Sequence, residues 1–248
     1  MNTPMIQIEN LTKCFEELCA VKDLSLSIPA GEVFAFLGPN GAGKTTTIKL
    51  LTGLLKPTNG RAILGGFDIQ KDPFQAKRLI GYIPDHPYVY EKLSGYEFFF
   101  FIGELFGVPR NLIDEKFEYY FKLFGLMNAR DKLIDNYSHG MRQKLVMSVS
   151  LMHDPKIIIL DEPMVGLDPQ SSLVVKRLFR KCAEAGAAVF LSTHTLSVAE
   201  EVADRIGLIH KGELIFLGNI QDMRETTQKN GNLEELFLEL TGHEIAAE

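Results

Sequence analysis

Residues 38–46, GPNGAGKTT, constrain the fold of this chain more than any other stretch. They match the pattern G-x-x-x-x-G-K-[ST], in which glycines let backbone N–H groups close around phosphates. The apolar run VFAFLG precedes the loop, and the helix-forming run TTTIKLLTGLL follows it. A chance glycine turn before a helix would need neither the full pattern nor both flanks. We therefore expect an α/β fold in which this loop joins a parallel strand to a helix.

The residues of this phosphate loop have distinct expected roles. Lys44 is expected to reach the β- and γ-phosphates, and the Thr45 hydroxyl is expected to bind Mg²⁺. The predicted nucleotide-binding residues of the loop are Gly38, Pro39, Asn40, Gly41, Ala42, Gly43, Lys44, Thr45 and Thr46.

Two later apolar runs, KIIILDEP and VFLSTH, predict buried strands that end in polar residues. Asp161 would hold magnesium through water, and Glu162 would take a proton from the attacking water. Without the phosphate loop, Asp-Glu-Pro after a strand would more simply mark a helix start. A lone histidine is more often structural than catalytic. His194, however, lies at the carboxyl end of its strand, where open α/β sheets bind ligands, so we expect it to contact the γ-phosphate.

A second anion-binding helix end is predicted at residues 136–144, NYSHGMRQK. A serine and a glycine before good helix formers are typical of a capped helix start. Such an end presents unpaired N–H groups and a positive partial charge, and it attracts anions. It lies more than ninety residues after Lys44.

The order of the phosphate loop, NYSHGMRQK, IIILDE, MVGLD and STH resembles the ATP-binding subunit of ABC transporters, over about residues 5–219. The Pro-Asp ending of IGYIPD and the SHGMRQK stretch are similar to exporter-type ATPases of bacterial drug, peptide and Ecs-like systems. The resemblance implies a P-loop NTPase fold with ATP and Mg²⁺ as cofactors. It also implies a motor subunit that hydrolyses ATP to drive transport, with export favoured over import, through separate integral membrane permease subunits.

The resemblance further implies that two ATPase subunits lie head to tail, as a homodimer or a heterodimer with a similar subunit. Each signature, here Ser138, His139 and Gly140, would then cap the ATP held by the phosphate loop of the other subunit. His139 stands where the family's first signature glycine is usual. Gly166, Leu167 and Asp168 match the loop that contacts the partner, called the dimer-contact loop below.

Two further positions follow from the resemblance. Phe15 stands where an aromatic residue stacks on adenine, although a buried phenylalanine of a β layer is the simpler alternative. Asp85 replaces a glutamine that touches the metal and links the ATPase to the membrane subunit. An aspartate can still accept a hydrogen bond from metal-bound water, but it cannot donate one as a carboxamide can.

The remaining segments predict an antiparallel β layer before and after the phosphate loop, and a hairpin at Lys211-Gly212. We expect an ATPase domain over residues 1–219, with a helical subdomain inserted at about residues 88–154. Residues 220–248 are predicted to be a C-terminal helical tail that includes NLEELFLELTG. Eleven of the 24 aromatic residues fall between Tyr96 and Phe124. The four consecutive phenylalanines at 98–101 cannot all face inward on one helix, so some should meet solvent or a short helix of a membrane subunit.

Composition limits the possible partners and compartment. The formal net charge of −6 disfavours a nucleic-acid partner. The three cysteines, Cys14, Cys19 and Cys182, show no metal-ligand spacing and are expected to be reduced cytosolic thiols. The N-terminus lacks a secretory pattern, and EFFFFIGELFGV is shorter than the ~20 apolar residues of a membrane span. We therefore expect a peripheral protein at the cytoplasmic face of the cell membrane, held there by permease subunits.

Two other functions are compatible with a phosphate loop. A P-loop nucleotide kinase would need an acceptor-nucleotide site and an arginine-rich lid, and it would leave NYSHGMRQK and GLD without a role. A DNA-repair or translation ATPase usually carries coiled-coil insertions, zinc cysteines or two cassettes in tandem, and none of these patterns occurs here.

Overall fold

The structure is a computed structural model and describes residues 4–226. The strands in this part of the chain are β1 (Pro4–Phe15), β2 (Leu18–Pro29), β3 (Val33–Leu37), β4 (Asn59–Leu64), β5 (Phe67–Asp68), β6 (Ile80–Ile83), β7 (Ile157–Asp161), β8 (Ala188–Thr193), β9 (Arg205–His210) and β10 (Glu213–Gly218). The α-helices there are α1 (Lys44–Leu51), α2 (Pro73–Arg78), α3 (Gly95–Leu105), α4 (Arg110–Leu123), α5 (His139–Leu151), α6 (Pro169–Glu184), α7 (Leu196–Val202) and α8 (Ile220–Thr226).

A six-stranded sheet in the order β10-β9-β3-β8-β7-β6 forms the centre of the molecule. Strands β9, β3, β8, β7 and β6 run parallel, and β10 closes one edge antiparallel to β9. The predicted parallel sheet and the hairpin at Lys211-Gly212 are thereby confirmed. Because β3 lies between β9 and β8, the phosphate loop that follows it opens at the middle of the sheet.

Both faces of this sheet are covered, which explains why its strands have continuous apolar sequences. Side chains alternate along β7: Ile157 and Ile159 enter one core cluster, whereas Ile158 and Leu160 enter another. The first cluster also contains residues of α1 and of a four-stranded antiparallel sheet, in the order β2-β1-β4-β5. This second sheet is the predicted antiparallel layer.

The second cluster is built largely from α3, α4 and α5, which lie between β6 and β7 in the chain. Helix α3 begins with a capping box, in which Ser94 accepts from the Glu97 backbone N–H and Glu97 accepts from that of Ser94. Phe98, Phe99 and Phe100 are buried, whereas Phe101 is 43% exposed. The expectation that the four phenylalanines cannot all be internal is confirmed.

The expectation of three reduced cysteines is wrong for one pair, because Cys14 and Cys19 form a disulfide. The β1–β2 hairpin places these residues directly opposite one another, a consequence of strand register that spacing alone did not reveal. Cys182 is free. The short helix α2 was not predicted, and the predicted helix at NLEELFLELTG lies outside the described residues.

Asp204 accepts a hydrogen bond from the first residue of the central strand β3, and its replacement tests how much that bond stabilises the fold. Its carboxylate accepts from both terminal nitrogens of Arg180, at 2.7 and 2.8 Å, and from the backbone N–H of buried Val33 at 2.8 Å. Asp204→Ala would leave that N–H unpaired at the start of β3, whereas Arg180→Ala would keep its acceptor. We expect Asp204→Ala to lower the free energy of unfolding by about 1–3 kcal/mol more than Arg180→Ala. Urea denaturation of both variants provides the measurement, and equal effects would contradict this role.

Candidate active site

The phosphate loop packs so closely against the protein that two of its glycines have no room for a side chain. A Cβ on Gly38 would lie 2.4 Å from the backbone oxygen of Ile209, and one on Gly43 would lie 2.3 Å from that of Ala20. Gly43 also has φ of +116°, a conformation that L side chains rarely adopt. The glycines are therefore required for the loop to curve between β3 and α1.

Lys44 is the first residue of α1, and its side chain is buried under the loop. The ammonium group donates to the carbonyls of Gly38 and Pro39, at 2.7 and 3.3 Å, and lies 3.6 Å from a Glu162 oxygen. Burial lowers the pKa of Lys44, and the nearby carboxylates of Glu162 and Asp161 oppose this shift. The Lys44 ammonium is thus positioned to bind a phosphate held by the loop.

Asp161 is the last residue of β7 and is buried, and one of its carboxylate oxygens has no hydrogen-bond partner among the described residues. Its Oδ1 accepts from the Ser192 hydroxyl at 2.5 Å, while Oδ2 is buried without a hydrogen-bond partner. Burial raises the pKa of Asp161, and the nearby hydroxyls of Ser192 and Thr45 oppose the rise. A buried oxygen without a partner is costly unless a ligand satisfies it. Carboxylate and hydroxyl oxygens are the ligands that Mg²⁺ prefers, so this donor set suits magnesium.

Glu162 adopts a left-handed backbone conformation, with φ of +47°. This is unfavourable for a residue other than glycine, by roughly 1–3 kcal/mol, and such strain clusters at active sites. One carboxylate oxygen of Glu162 lies 2.9 Å from His194 Nδ1 as well as close to Lys44. The sequence-predicted base, cation and histidine are therefore brought together at one edge of the sheet.

A cavity of about 240 Å³ is lined by the phosphate loop with Lys44 and Thr45, whereas Asp161 and His194 lie outside its lining. Asp85 and Glu162 line it opposite the phosphate loop. Phe15, on β1, is 45% exposed, and the Lys13 ammonium lies 4.9 Å from its ring centroid on one face. The alternative of a buried phenylalanine is wrong, and an exposed ring suits base stacking.

The predicted signature is not part of this cavity. Among the described residues that line it, none comes from residues 138–140. Ser138 caps α5, and its hydroxyl accepts from the Met141 N–H at 3.3 Å. The capped start of α5 therefore does not contribute to the cavity at the phosphate loop of the same chain.

The dimer-contact loop lies beside the signature. A Cβ on Gly140 would lie 2.9 Å from the Gly166 backbone oxygen, and the Lys144 ammonium is 3.5 Å from Asp168. Asp168 caps α6, and hydrogen bonds from Ser171 lower the pKa of Asp168 to about 2. Two of the predicted site elements, signature and contact loop, thus form one surface away from the nucleotide cavity.

Asp85 connects two cavities. It lines the nucleotide cavity and also a groove of about 760 Å³ between the parallel sheet and the inserted helices. Its carboxylate accepts from the backbone N–H of His86 and lies 2.8 Å from the His86 ring. Gln143, buried within α5, donates to the Pro84 carbonyl at 3.3 Å. The groove is lined mainly by apolar side chains, among them Ile80, Tyr82, Tyr88, Phe98, Ile102 and Phe106.

Sequence reasoning missed three residues of this region. Lys13, His86 and Gln143 contact Phe15, Asp85 and Pro84, respectively. His86 and Lys13 lie within two positions of residues that were singled out, so proximity in sequence was a usable signal. Gln143 lies within residues 136–144, which were also singled out, but its contact with Pro84 joins residues almost sixty positions apart and gave no sequence signal.

Comparison with known proteins identifies the family to which these site residues belong. Residues 21–165 match the ABC transporter family. This chain belongs to that family. It is 37% identical, over 92% of its length and 69% of the relative's, to the daunorubicin/doxorubicin resistance ATP-binding protein DrrA of Streptomyces peucetius.

Solved structures agree with the family and the fold. An ATP-binding subunit of an ABC transporter superposes with a TM-score of 0.90, at 28% identity, covering 96% of this chain and 99% of the other. An ATP-binding cassette solved as a post-hydrolysis dimer with ADP and phosphate superposes with a TM-score of 0.79, at 24% identity, over 87% and 99% of the chains. The chain is an ABC ATPase with a P-loop NTPase fold that binds and hydrolyses ATP.

Lys44→Ala tests the phosphate loop directly. Loss of a buried ammonium facing phosphate should weaken nucleotide binding by about 10- to 100-fold, the range for a hydrogen bond to a charged group. Calorimetry with ADP separates binding from hydrolysis. Lys56→Ala removes an exposed lysine beyond the end of α1 and is the matched control, for which affinity should be unchanged. An unchanged affinity of the Lys44 variant would contradict the assignment.

Proposed function

We propose that this ABC ATPase is the motor subunit of an exporter, and that each of its ATP sites is completed by the signature of a second subunit. The observation that carries the proposal is the separation of the two anion-binding helix ends. The cavity at the phosphate loop is lined without any contribution from Ser138, His139 or Gly140. A γ-phosphate in this cavity therefore lacks the N–H donors of α5 unless another subunit brings them.

In the proposed reaction, the residues around the cavity have separate tasks. Lys44 leaves the loop carbonyls and neutralises the terminal phosphates. Glu162 accepts a proton from the attacking water, and His194, held 2.9 Å from it, orients the carboxylate and contacts the γ-phosphate. Thr45, Asp161 and Asp85 would hold Mg²⁺, which neutralises charge on the β- and γ-phosphates when bound. Phe15 stacks on the adenine.

The second subunit is a further copy of this chain or a similar ATPase. The solved cassette that superposes with a TM-score of 0.79 is described as a dimer with ADP and phosphate, which supports a dimeric assembly here. Gly166, Leu167 and Asp168 lie beside the signature, so both would meet the partner together. In a head-to-tail pair, this surface faces the opposite nucleotide cavity.

The proposed transport path lies in separate permease subunits. No described helix of this chain is both long enough and apolar enough to cross a bilayer. The apolar groove beside Asp85 suits a short helix of such a subunit. Because Asp85 borders both the groove and the nucleotide cavity, a permease in the groove could be sensed at the ATP site. Docking there would place the ATPase at the cytoplasmic face of the membrane.

Export is the proposed direction of transport. The drug-resistance name of the Streptomyces relative supports it, as does the resemblance of SHGMRQK and the Pro-Asp ending to exporter-type ATPases. In this proposal the membrane subunits, and not the ATPase, select the transported molecule.

Glu162→Gln tests the proposed base. The amide cannot accept the proton, so turnover should fall by about 10²- to 10⁴-fold while nucleotide affinity stays close to that of the parent. Steady-state ATPase and calorimetry measure the two quantities. Glu184→Gln, at the exposed end of α6, is the matched carboxylate control and should leave both unchanged. Near-normal turnover of Glu162→Gln would remove Glu162 from this role.

A mixing experiment tests action in trans. Ser138→Arg should still bind ATP, because its phosphate loop is intact, but it should neither dimerise nor hydrolyse ATP. Lys44→Ala has an intact signature and a defective loop. Mixed at concentrations where dimers form, the two variants build one intact composite site and one doubly defective site, so part of the activity should return.

The firmer measurement is ATP-dependent heterodimer formation by light scattering, because recovery of turnover is incomplete if both sites must act together. Each variant alone is the control. If Ser138→Arg alone dimerises with ATP and hydrolyses it normally, residues 136–144 are only a capped helix and the proposed composite site is wrong.

A further inference from the structure

The ring of His139 lies directly against Gly166 of the dimer-contact loop. A Cβ built on Gly166 would lie 2.4 Å from His139 Cδ2 and 3.1 Å from Nε2. Gly166 has φ of +77°, so its hydrogen atoms, and no side chain, face the ring. An imidazole therefore fills the space above the contact loop that a side chain at 166 would otherwise use.

Two further contacts attach the same loop to α5. The backbone oxygen of Gly166 approaches Gly140 so closely that a Cβ there would be 2.9 Å away. The Lys144 ammonium lies 3.5 Å from Asp168, one helical turn further along. The loop is thus held at Gly166 by the His139 ring and by backbone packing against Gly140, and at Asp168 by an ion pair. Of these, the ring contact is the one that a glycine at position 139 could not make.

We propose that His139 is a positioning residue that fixes the dimer-contact loop to the signature helix, so that both meet the partner subunit as one preformed surface. A loop that becomes ordered only on association loses conformational entropy, which weakens binding. A loop already fixed in the free subunit avoids this loss. The effect needs the shape of the aromatic ring and not its charge. The consequence for dimerisation rests on the proposed function, whereas the contact itself can be tested in a single subunit.

A double-mutant cycle in the nucleotide-free subunit tests the contact. Gly166→Ala inserts a methyl group where the ring lies, so it should lower the melting temperature. In the His139→Gly background the ring is gone, and the same substitution should lower the melting temperature by clearly less. Gly125→Ala is the matched control, since Gly125 also has a positive φ, +68°, but has open space where a Cβ would stand. It should show no dependence on His139.

A second measurement tests positioning. In a Glu162→Gln background, in which hydrolysis is slow, we expect His139→Gly to weaken ATP-dependent dimerisation about 10-fold, a typical size for coupled neighbours. His139→Phe keeps an aromatic ring and should restore most of the affinity. Calorimetric ADP affinity of the isolated subunit should not change with either variant, because residue 139 does not line its own nucleotide cavity.

The outcomes separate this inference from the proposed function. Additive melting temperatures in the cycle, or a His139→Gly chain that dimerises as tightly as its parent, would overturn the inference while leaving the composite site intact. If the cycle shows coupling but no variant dimerises with ATP, including the parent, the proposed function fails and the positioning role fails with it. Loss of affinity in His139→Phe equal to that in His139→Gly would also overturn the ring-contact explanation.

Discussion

The alignment of parallel strands at one edge of the central sheet is the constraint on which the rest of this molecule depends. Leu37, at the end of β3, pairs with Thr193 of β8, and Asp161, at the end of β7, pairs with Ser192 of the same strand. Because neighbouring parallel strands share a register and a direction, the residues that follow them emerge together. Lys44 of the phosphate loop, Asp161 and Glu162 at the end of β7, and His194 after β8 therefore converge, although the three segments are far apart in sequence.

Bringing these residues together leaves several unfavourable features that a bound magnesium nucleotide would relieve. Lys44 is buried with its ammonium turned to loop carbonyls, Asp161 keeps a buried oxygen without a partner, and Glu162 is held in a left-handed conformation. These features store unfavourable energy in the resting subunit. In the proposed composite site, the capped start of α5 from a second subunit would add N–H donors to the γ-phosphate. That helix start packs against Gly166 of the dimer-contact loop.

Much of this arrangement could be predicted from sequence, since the phosphate loop, the two acids at the end of β7 and the histidine after β8 each come at the end of an apolar strand. Local order also predicted the β9–β10 hairpin and the inserted helices. What could not be predicted depends on contacts across the fold. The pairing of Cys14 with Cys19 follows from the register of a hairpin. Likewise, the packing of His139 on Gly166 and the sharing of Asp85 by two cavities need the positions of separate elements.

The central claim is that the signature of one subunit meets the phosphate loop of another, and inter-subunit cross-linking tests it most directly. One chain would carry Asn40→Cys and the other Met141→Cys, both in Glu162→Gln subunits whose native cysteines are replaced by serine. A short bifunctional thiol reagent should yield a covalent heterodimer with ATP and little product without nucleotide. A single chain with both substitutions should give dimers and not internally linked monomers. Internal linkage, or no inter-subunit product while ATP is bound, would contradict the account.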